Sequence, residues 1–484
     1  MIDIDFLKKG NRTKYAQSDI GTSNLFIDSF RDELLYCADI DTWYVWSGKN
    51  WEIDCMLMRY QFIKQLAFYC NQYIFTNASS EKQSTLLKYY GKLTDKNFRD
   101  RILKDSMSIK PVKSNSFNRF KFLFNCQNGT YDFNKNTFKN HDRTDLLTDI
   151  SNVTYDASAR CDLFNKYLDE VMENKEDKID YLMKIASYCL TGDTSRECFF
   201  VLYGDKTRNG KGTFVSTIAN LAGSYSNTLR AAAITRKQIN SGASNATPEI
   251  AKLISSRMVN INELEDGMML DISLIKTLTG GDTMTARKLY KDEVEFVPQF
   301  KLLINTNTLP RMTDDSIFKS DRIHILCFDR HFERIERDLH LKDKLKLETS
   351  GIFNLLVYYY GQLNKSGFII PKDSQEVVDK YHLNSNNVMQ FVADNMNKDT
   401  RSYEKTSVVY RSYQNWCEEN GYHPLGKKTF KERMERLDFF FTDKEYHKTN
   451  EGLGETTYWA KGYSLTPINA VNGVLSEVKG KLDF

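Results

Sequence analysis

Apolar residues recur at helical spacing from Asp162 to Cys189: Phe164, Tyr167, Leu168 and Val171, then Ile179, Leu182, Ile185 and Tyr188. This predicts two consecutive helices. They lead into an unbroken apolar run, Cys198 to Tyr203, that reads as a buried strand. The run stops at a polar, glycine-containing turn, and an apolar-periodic stretch (Phe214, Ile218, Leu221) follows it. Farther on, MVNINEL and KLLIN read as two more buried strands, and DRIHILCF (Asp321 to Phe328) alternates as a strand does. The central part of the chain is therefore expected to be α/β.

The flanks follow other patterns. The first 30 residues are polar and are expected to be only partly ordered. Asp41 to Asp54 alternates aromatic and polar residues around a Ser-Gly turn, which predicts a hairpin. Trp43, Trp46 and Trp51 fit cross-strand core pairs better than a base-stacking platform. A helical region is expected from Met58 to about Arg119, then strands and turns from Phe122 to Thr148, with a domain boundary near Ala159. Lys346 to Leu363 reads as an amphipathic helix. Beyond Pro371 a helix (Val388 to Met396) and a polar linker (Asp399 to Thr406) precede a last module of helix, turn, helix and hairpin. That is the order of a winged helix. Lys427, Lys428, Lys431 and Arg433 lie on its second helix, the element that commonly enters the major groove; a protein contact is the alternative use.

Length adds a soft expectation of roughly three or four domains. A net charge of +3 gives no global polybasic signal, so any nucleic-acid contact must be local. Nine scattered cysteines show no zinc-type spacing and read as buried thiols. The polar, acidic start is unlike a signal peptide, and no apolar run approaches the ~20 residues that span a bilayer. A cytoplasmic protein with no membrane partner is expected.

The glycine turn carries the sharpest chemistry. A strand, a turn and a helix start at Gly204, Asn209, Gly210, Lys211, Gly212, Thr213 and Phe214 would point backbone N–H groups at a phosphate, with Lys211 adding a mobile charge. Two departures stand out. Five residues, not four, separate Gly204 from Gly210, and Gly212 follows the lysine where a hydroxyl is usual. The Mg²⁺ ligand would then be Thr213 or water. Glu263 and Glu265, at the end of a buried strand, suit Mg²⁺ and water activation in ATP chemistry. Asn307 ends another strand and could orient that water. Lys288, Tyr290 and Lys291, with Arg287 beside them, fit the tip of a hairpin that grips a sugar–phosphate backbone. Arg322 could be presented to a neighbouring subunit's nucleotide.

Taken together, these residues resemble the phage and plasmid primase–helicase family, a branch of the superfamily 3 AAA+ helicases, most closely from Phe199 to Phe328. The resemblance implies a hexameric ring that binds ATP and Mg²⁺ between subunits and threads single-stranded DNA. It also implies action at forked DNA or a replication origin. It puts Lys276, Gly280, Gly281, Asp282 and Arg287 on the stretch before the DNA hairpin, Asn307 at the sensor position and Arg322 at the arginine finger. The fold it implies is an AAA+ P-loop ATPase core with an α+β N-terminal accessory domain and a C-terminal winged helix. The expected divisions are 1–158 accessory, 159–195 helical lead-in, 196–370 ATPase, 371–406 connector and linker, 407–468 winged helix and 469–484 tail. With about 120 residues before NGTYDF, a helicase without primase activity is expected. The rivals are an origin-binding initiator that does not unwind and a AAA+ remodeller of another protein.

Overall fold

The computed structural model describes residues 14–78, 80–236, 248–264, 267–287, 293–312, 316–437, 439–448 and 454–465. The chain forms two compact units. One runs to Pro310 and resumes over Asp321–Ser374; the other holds Arg311–Ser320 and the residues from Gln375 on.

The first unit begins with an ordered helix, α1 (Asp19–Phe30), where a partly ordered segment was expected. Ser18 caps it by accepting the Gly21 N–H, and Leu25, Phe26 and Phe30 are buried against the helices that follow. With Ile27 also buried, four apolar side chains order it. The hairpin is a three-stranded sheet: β1 (Leu34–Cys37), β2 (Thr42–Trp46) and β3 (Trp51–Ile53). Trp43 and Trp51 are buried, and the Trp51 indole donates to the Arg143 carbonyl, so both serve the core. Helices α2 (Met58–Asn77), α3 (Ser80–Tyr90) and α4 (Lys96–Ser106) follow. The helical region stops there and does not reach Arg119: Pro111 disfavours helix before it, and Val112 instead bridges to Cys37. Strands β4 (Leu123–Cys126), β5 (Gly129–Asp132) and β6 (Thr137–Lys139) make a second small sheet.

Helices α5 (Asp162–Val171) and α6 (Glu176–Cys189) then deliver the chain to β7 (Phe199–Tyr203), as their periodicity predicts. After the glycine turn come α7 (Lys211–Ala222), β8 (Ser226–Leu229), β9 (Met258–Asn262), α8 (Ile272–Thr279), the hairpin β10 (Met284–Arg287) and β11 (Glu293–Phe296), β12 (Lys301–Thr306) and β13 (Ile323–Cys327). Five of these strands form one parallel sheet in the order β13-β7-β12-β9-β8. Phe199, Phe200, Val201 and Leu202 are all buried because a parallel sheet is covered on both faces. The register pairs Tyr203 with Thr306 and with Cys327, so the C-terminal ends of these three strands share one edge.

One buried cation joins the small sheet to this core. Arg257 is 1% exposed and donates to the Leu190 and Leu123 carbonyls. Its guanidinium lies 4.4 Å from the Tyr225 ring centre, and Tyr225 in turn stacks on Phe124.

In the second unit, α9 (Asn387–Asn395), α10 (Thr406–Glu419) and α11 (Lys427–Glu435) enclose Phe391, Tyr413, Trp416 and Phe430. The polar segment expected as a linker is strand β14 (Met396–Lys405), antiparallel to the last strand β18 (Trp459–Leu465). Its sequence shows no apolar alternation because a shift of register between Lys398 and Tyr403 interrupts it at the sheet edge. Strand β15 (Phe440–Phe441) flanks β18 on the other side, and β16 (Glu445–Lys448) pairs with β17 (Gly454–Thr457) as a hairpin.

Arg257→Ala removes the donor that both carbonyls rely on and leaves Asp149 without its nearby charge. Urea unfolding should show a loss of roughly 3–5 kcal/mol. A change under about 1 kcal/mol would mean that the carbonyls find water and that Arg257 is not a joint.

Candidate active site

The turn after β7 is held from outside as well as from within. Gly210 lies at φ 91° and opens α7. A Cβ at Gly210 would come within 2.6 Å of Val171, and the Gly210 carbonyl accepts the Tyr167 hydroxyl at 2.9 Å. Gly204 has no room for a side chain either, because a Cβ there would lie 2.3 Å from the Asn209 amide. Asn209 is buried and donates to the Lys206 carbonyl at 2.7 Å. The His331 ring bonds the Thr207 carbonyl and the Phe332 N–H donates to the Arg208 carbonyl, so the extra loop residue is anchored. Tyr167 reads in sequence as one more apolar position of a helix face. Its hydroxyl contact with the loop leaves no trace in that pattern.

Lys211 is 4% exposed, and its ammonium donates to the Gly204 carbonyl at 3.0 Å and to Asn307 Oδ1 at 2.8 Å. Burial pushes its pKa down to about 8, with Asp205 working the other way. A cleft of about 320 Å³ opens beside it, lined among others by Arg208, Asn209, Gly212, Glu263 and Asn307. Glu263 adopts a left-handed φ of 55° just past β9, and its N–H donates to the Asn305 carbonyl. Four of the residues singled out by their sequence, Lys211, Asn209, Glu263 and Asn307, therefore meet at one edge of the sheet.

Others lie elsewhere. Thr213 follows the cleft wall into α7, where its carbonyl accepts from Ser216 and Thr217. Phe214 is buried and stacks toward Phe164, 6.3 Å between ring centres, so its place is in the core. Arg322 precedes β13 and stands at the opposite end of the strands from Lys211, about 15 Å away at ~3.3 Å per residue. Its guanidinium donates to Thr279 Oγ1, to the Glu197 carbonyl and to the Glu197 carboxylate. Glu265, Lys288, Tyr290 and Lys291 lie outside the described residues, as does the side chain of Arg287; the strands β10 and β11 that flank the tip pair antiparallel. In the second unit Lys427 and Lys428 are exposed at the start of α11, and Lys431 lies near Glu435 and over the Phe441 ring.

Among the described residues no cluster of three or more His, Cys, Asp or Glu side chains could hold a metal alone. Among the described residues that line it, the cleft offers one carboxylate, Glu263, which fits a Mg²⁺ ion that arrives with phosphate oxygens of its own. No helix among the described residues is long and apolar enough to cross a membrane.

Three family descriptions match the chain: "D5 N terminal like" over residues 23–173, "Family of unknown function (DUF5906)" over 202–322 and "Poxvirus D5 protein-like" over 383–458. The L207/L206 protein of Acanthamoeba polyphaga mimivirus, whose name gives helicase as a provisional assignment, is 24% identical over 79% of this chain and 44% of its own length. A similarly named 121R protein of Invertebrate iridescent virus 3 is 24% identical over 44% of this chain and 23% of its own. The chain thus spans less than half the length of these curated relatives. Among solved structures, the apo NrS-1 C-terminal region (305–718) gives a TM-score of 0.48 at 9% identity, over 89% of this chain and 96% of that one. The chain is thus similar in sequence to these viral proteins, and the three family matches fall before, across and after the residues of the cleft.

Because burial favours the neutral amine, free Lys211 loses its proton as pH rises through about 8, whereas a bound anion favours the ammonium. Affinity for a nucleoside triphosphate should therefore fall about tenfold per pH unit above that point, with one proton taken up on binding. Calorimetry in buffers of different ionisation enthalpy reads the proton directly. A flat pH profile, or one that persists in Lys211→Met, would exclude Lys211 as its source.

Proposed function

We propose that this chain is an ATP-driven DNA helicase of replication, built on a AAA+ core and acting as a ring of like subunits. The observation that supports it best is the convergence of Lys211, Glu263 and Asn307 at one edge of a parallel sheet of order β13-β7-β12-β9-β8, with Arg322 at the other edge. A cation so far from its own cleft suits a nucleotide held by a neighbour.

In this reading Lys211 leaves the Gly204 carbonyl and holds the β- and γ-phosphates. Glu263 faces the cation and the attacking water, and Asn307, released by Lys211, reports on the γ-phosphate. Mg²⁺ supplies charge neutralisation between the phosphates. Thr213, Gly210 and Gly212 bring the N-terminal end of α7 to the anion. Arg322 exchanges Glu197 for the phosphate of the adjacent subunit. The β10–β11 hairpin, with Lys288, Tyr290 and Lys291 between its strands and Arg287 at the end of β10 that leads into them, carries single-stranded DNA. The second unit, with Lys427, Lys428, Lys431 and Arg433 on α11, serves as a winged helix on duplex or origin DNA.

DNA-stimulated ATPase and strand displacement on a forked duplex should both be present in the wild type and fall at least ~100-fold in Lys211→Ala. Retained ATPase and unwinding in that variant would end this reading. ATPase and DNA binding without strand displacement would instead identify a nucleotide-switched initiator.

Arg322→Ala should bind ATP normally and lose ~10³-fold or more in turnover. Mixing it with Lys211→Ala, which has an intact Arg322, should restore part of the activity at mixed interfaces. Mixtures that stay as inactive as either parent would show that Arg322 does not act in trans.

A further inference from the structure

The overlong loop places a second cation on the cleft. Arg208 lines the same cavity as Lys211, Glu263 and Asn307 and is exposed. Its backbone sits at a φ of 58°, a left-handed conformation that costs an ordinary residue on the order of 1 kcal/mol or more. The Phe332 N–H donates to the Arg208 carbonyl at 3.0 Å and holds it there. The side chain itself makes no hydrogen bond or ion pair among the described residues. Lys211, by contrast, is engaged on Gly204 and Asn307, and Arg330 on Glu336. The fold thus keeps a strained backbone, anchored from behind, at a cleft-lining cation that has no ion pair among the described residues.

We infer that Arg208 is a phosphate-binding residue acting in cis, directed at the terminal phosphate of a bound nucleoside triphosphate. This rests on the reading of the cleft as a nucleotide site. The terminal phosphate is favoured because Arg208 shares its cavity with the strand-end residues Glu263 and Asn307, and Asn307 accepts from the tip of Lys211. A guanidinium fork pairs with two phosphate oxygens at once, which an ammonium does not. Arg208, the fourth of the five residues between Gly204 and Gly210, supplies this charge in a loop where Gly212 replaces the usual hydroxyl.

The test uses the full chain with Arg208→Ala, Arg208→Gly and Arg208→Lys, and measures equilibrium binding of ATP and ADP together with kcat and KM. Arg208→Ala should weaken ATP binding ~10- to 100-fold and change ADP binding by less than about threefold, with a matching loss in kcat/KM. Arg208→Gly relieves the left-handed strain, so an equal loss there assigns the effect to the side chain; Arg208→Lys should recover part of it. Unchanged ATP binding in Arg208→Ala, or equal losses for ATP and ADP, would overturn the inference. If turnover in the wild type depends on Lys211 and is untouched by Arg208→Ala, this inference alone falls. A wild-type chain that binds neither nucleotide removes it together with the reading of the cleft.

Discussion

The site depends on one buried ammonium. Lys211 spans from the end of β7, through the Gly204 carbonyl, to the end of β12, through Asn307. Both acceptors are neutral, so the charge is solvated without being cancelled and remains available to an anion. A carboxylate in place of Asn307 would hold Lys211 more firmly and weaken the site for phosphate. The glycines at either end of the loop and the Tyr167 hydroxyl fix the backbone that makes this span possible.

Support for that edge comes from far away in sequence. Arg257 is expensive to bury, since a guanidinium taken from water loses several kcal/mol of hydration. Two carbonyls and a tyrosine face offset that cost, and they belong to the small sheet, to the end of α6 and to the segment after α7. The N-terminal region is therefore packed as a buttress of the sheet that carries the cleft.

The parts of this architecture that rest on period or on glycine chemistry could be read from the chain. The two helices before β7, the buried strands, the loop and the paired strands β10 and β11 are all of that kind. So are Glu263 and Asn307, each singled out by standing at the end of an apolar run, and Lys211, singled out by following the glycine turn. What escaped had no period to betray it. Helix α1 is ordered by four apolar side chains that follow a polar start, and β14 is a strand by virtue of the backbone of β18. Arg322 could be singled out as a cation at a strand start, but its engagement by Glu197 and Thr279 joins residues that only the folded sheet brings together. Thr213 and Phe214 were placed in the site by motif position. The helix turns Phe214 into the core, since the first turn of α7 has a buried face as well as one that meets the cleft.

Strand β7 ends in the phosphate loop, yet both of its neighbours in the sheet, β12 and β13, come about a hundred residues later in the chain. Non-local parallel pairing of this kind forms late, after a large loop has been closed. On a ribosome the loop would leave the tunnel first and wait without a sheet to stand on until Cys327 had followed it. The cleft is thus a late feature of the unit: a nascent or truncated chain that stops before β12 lacks Asn305, Thr306 and Asn307, and with them one wall of the site.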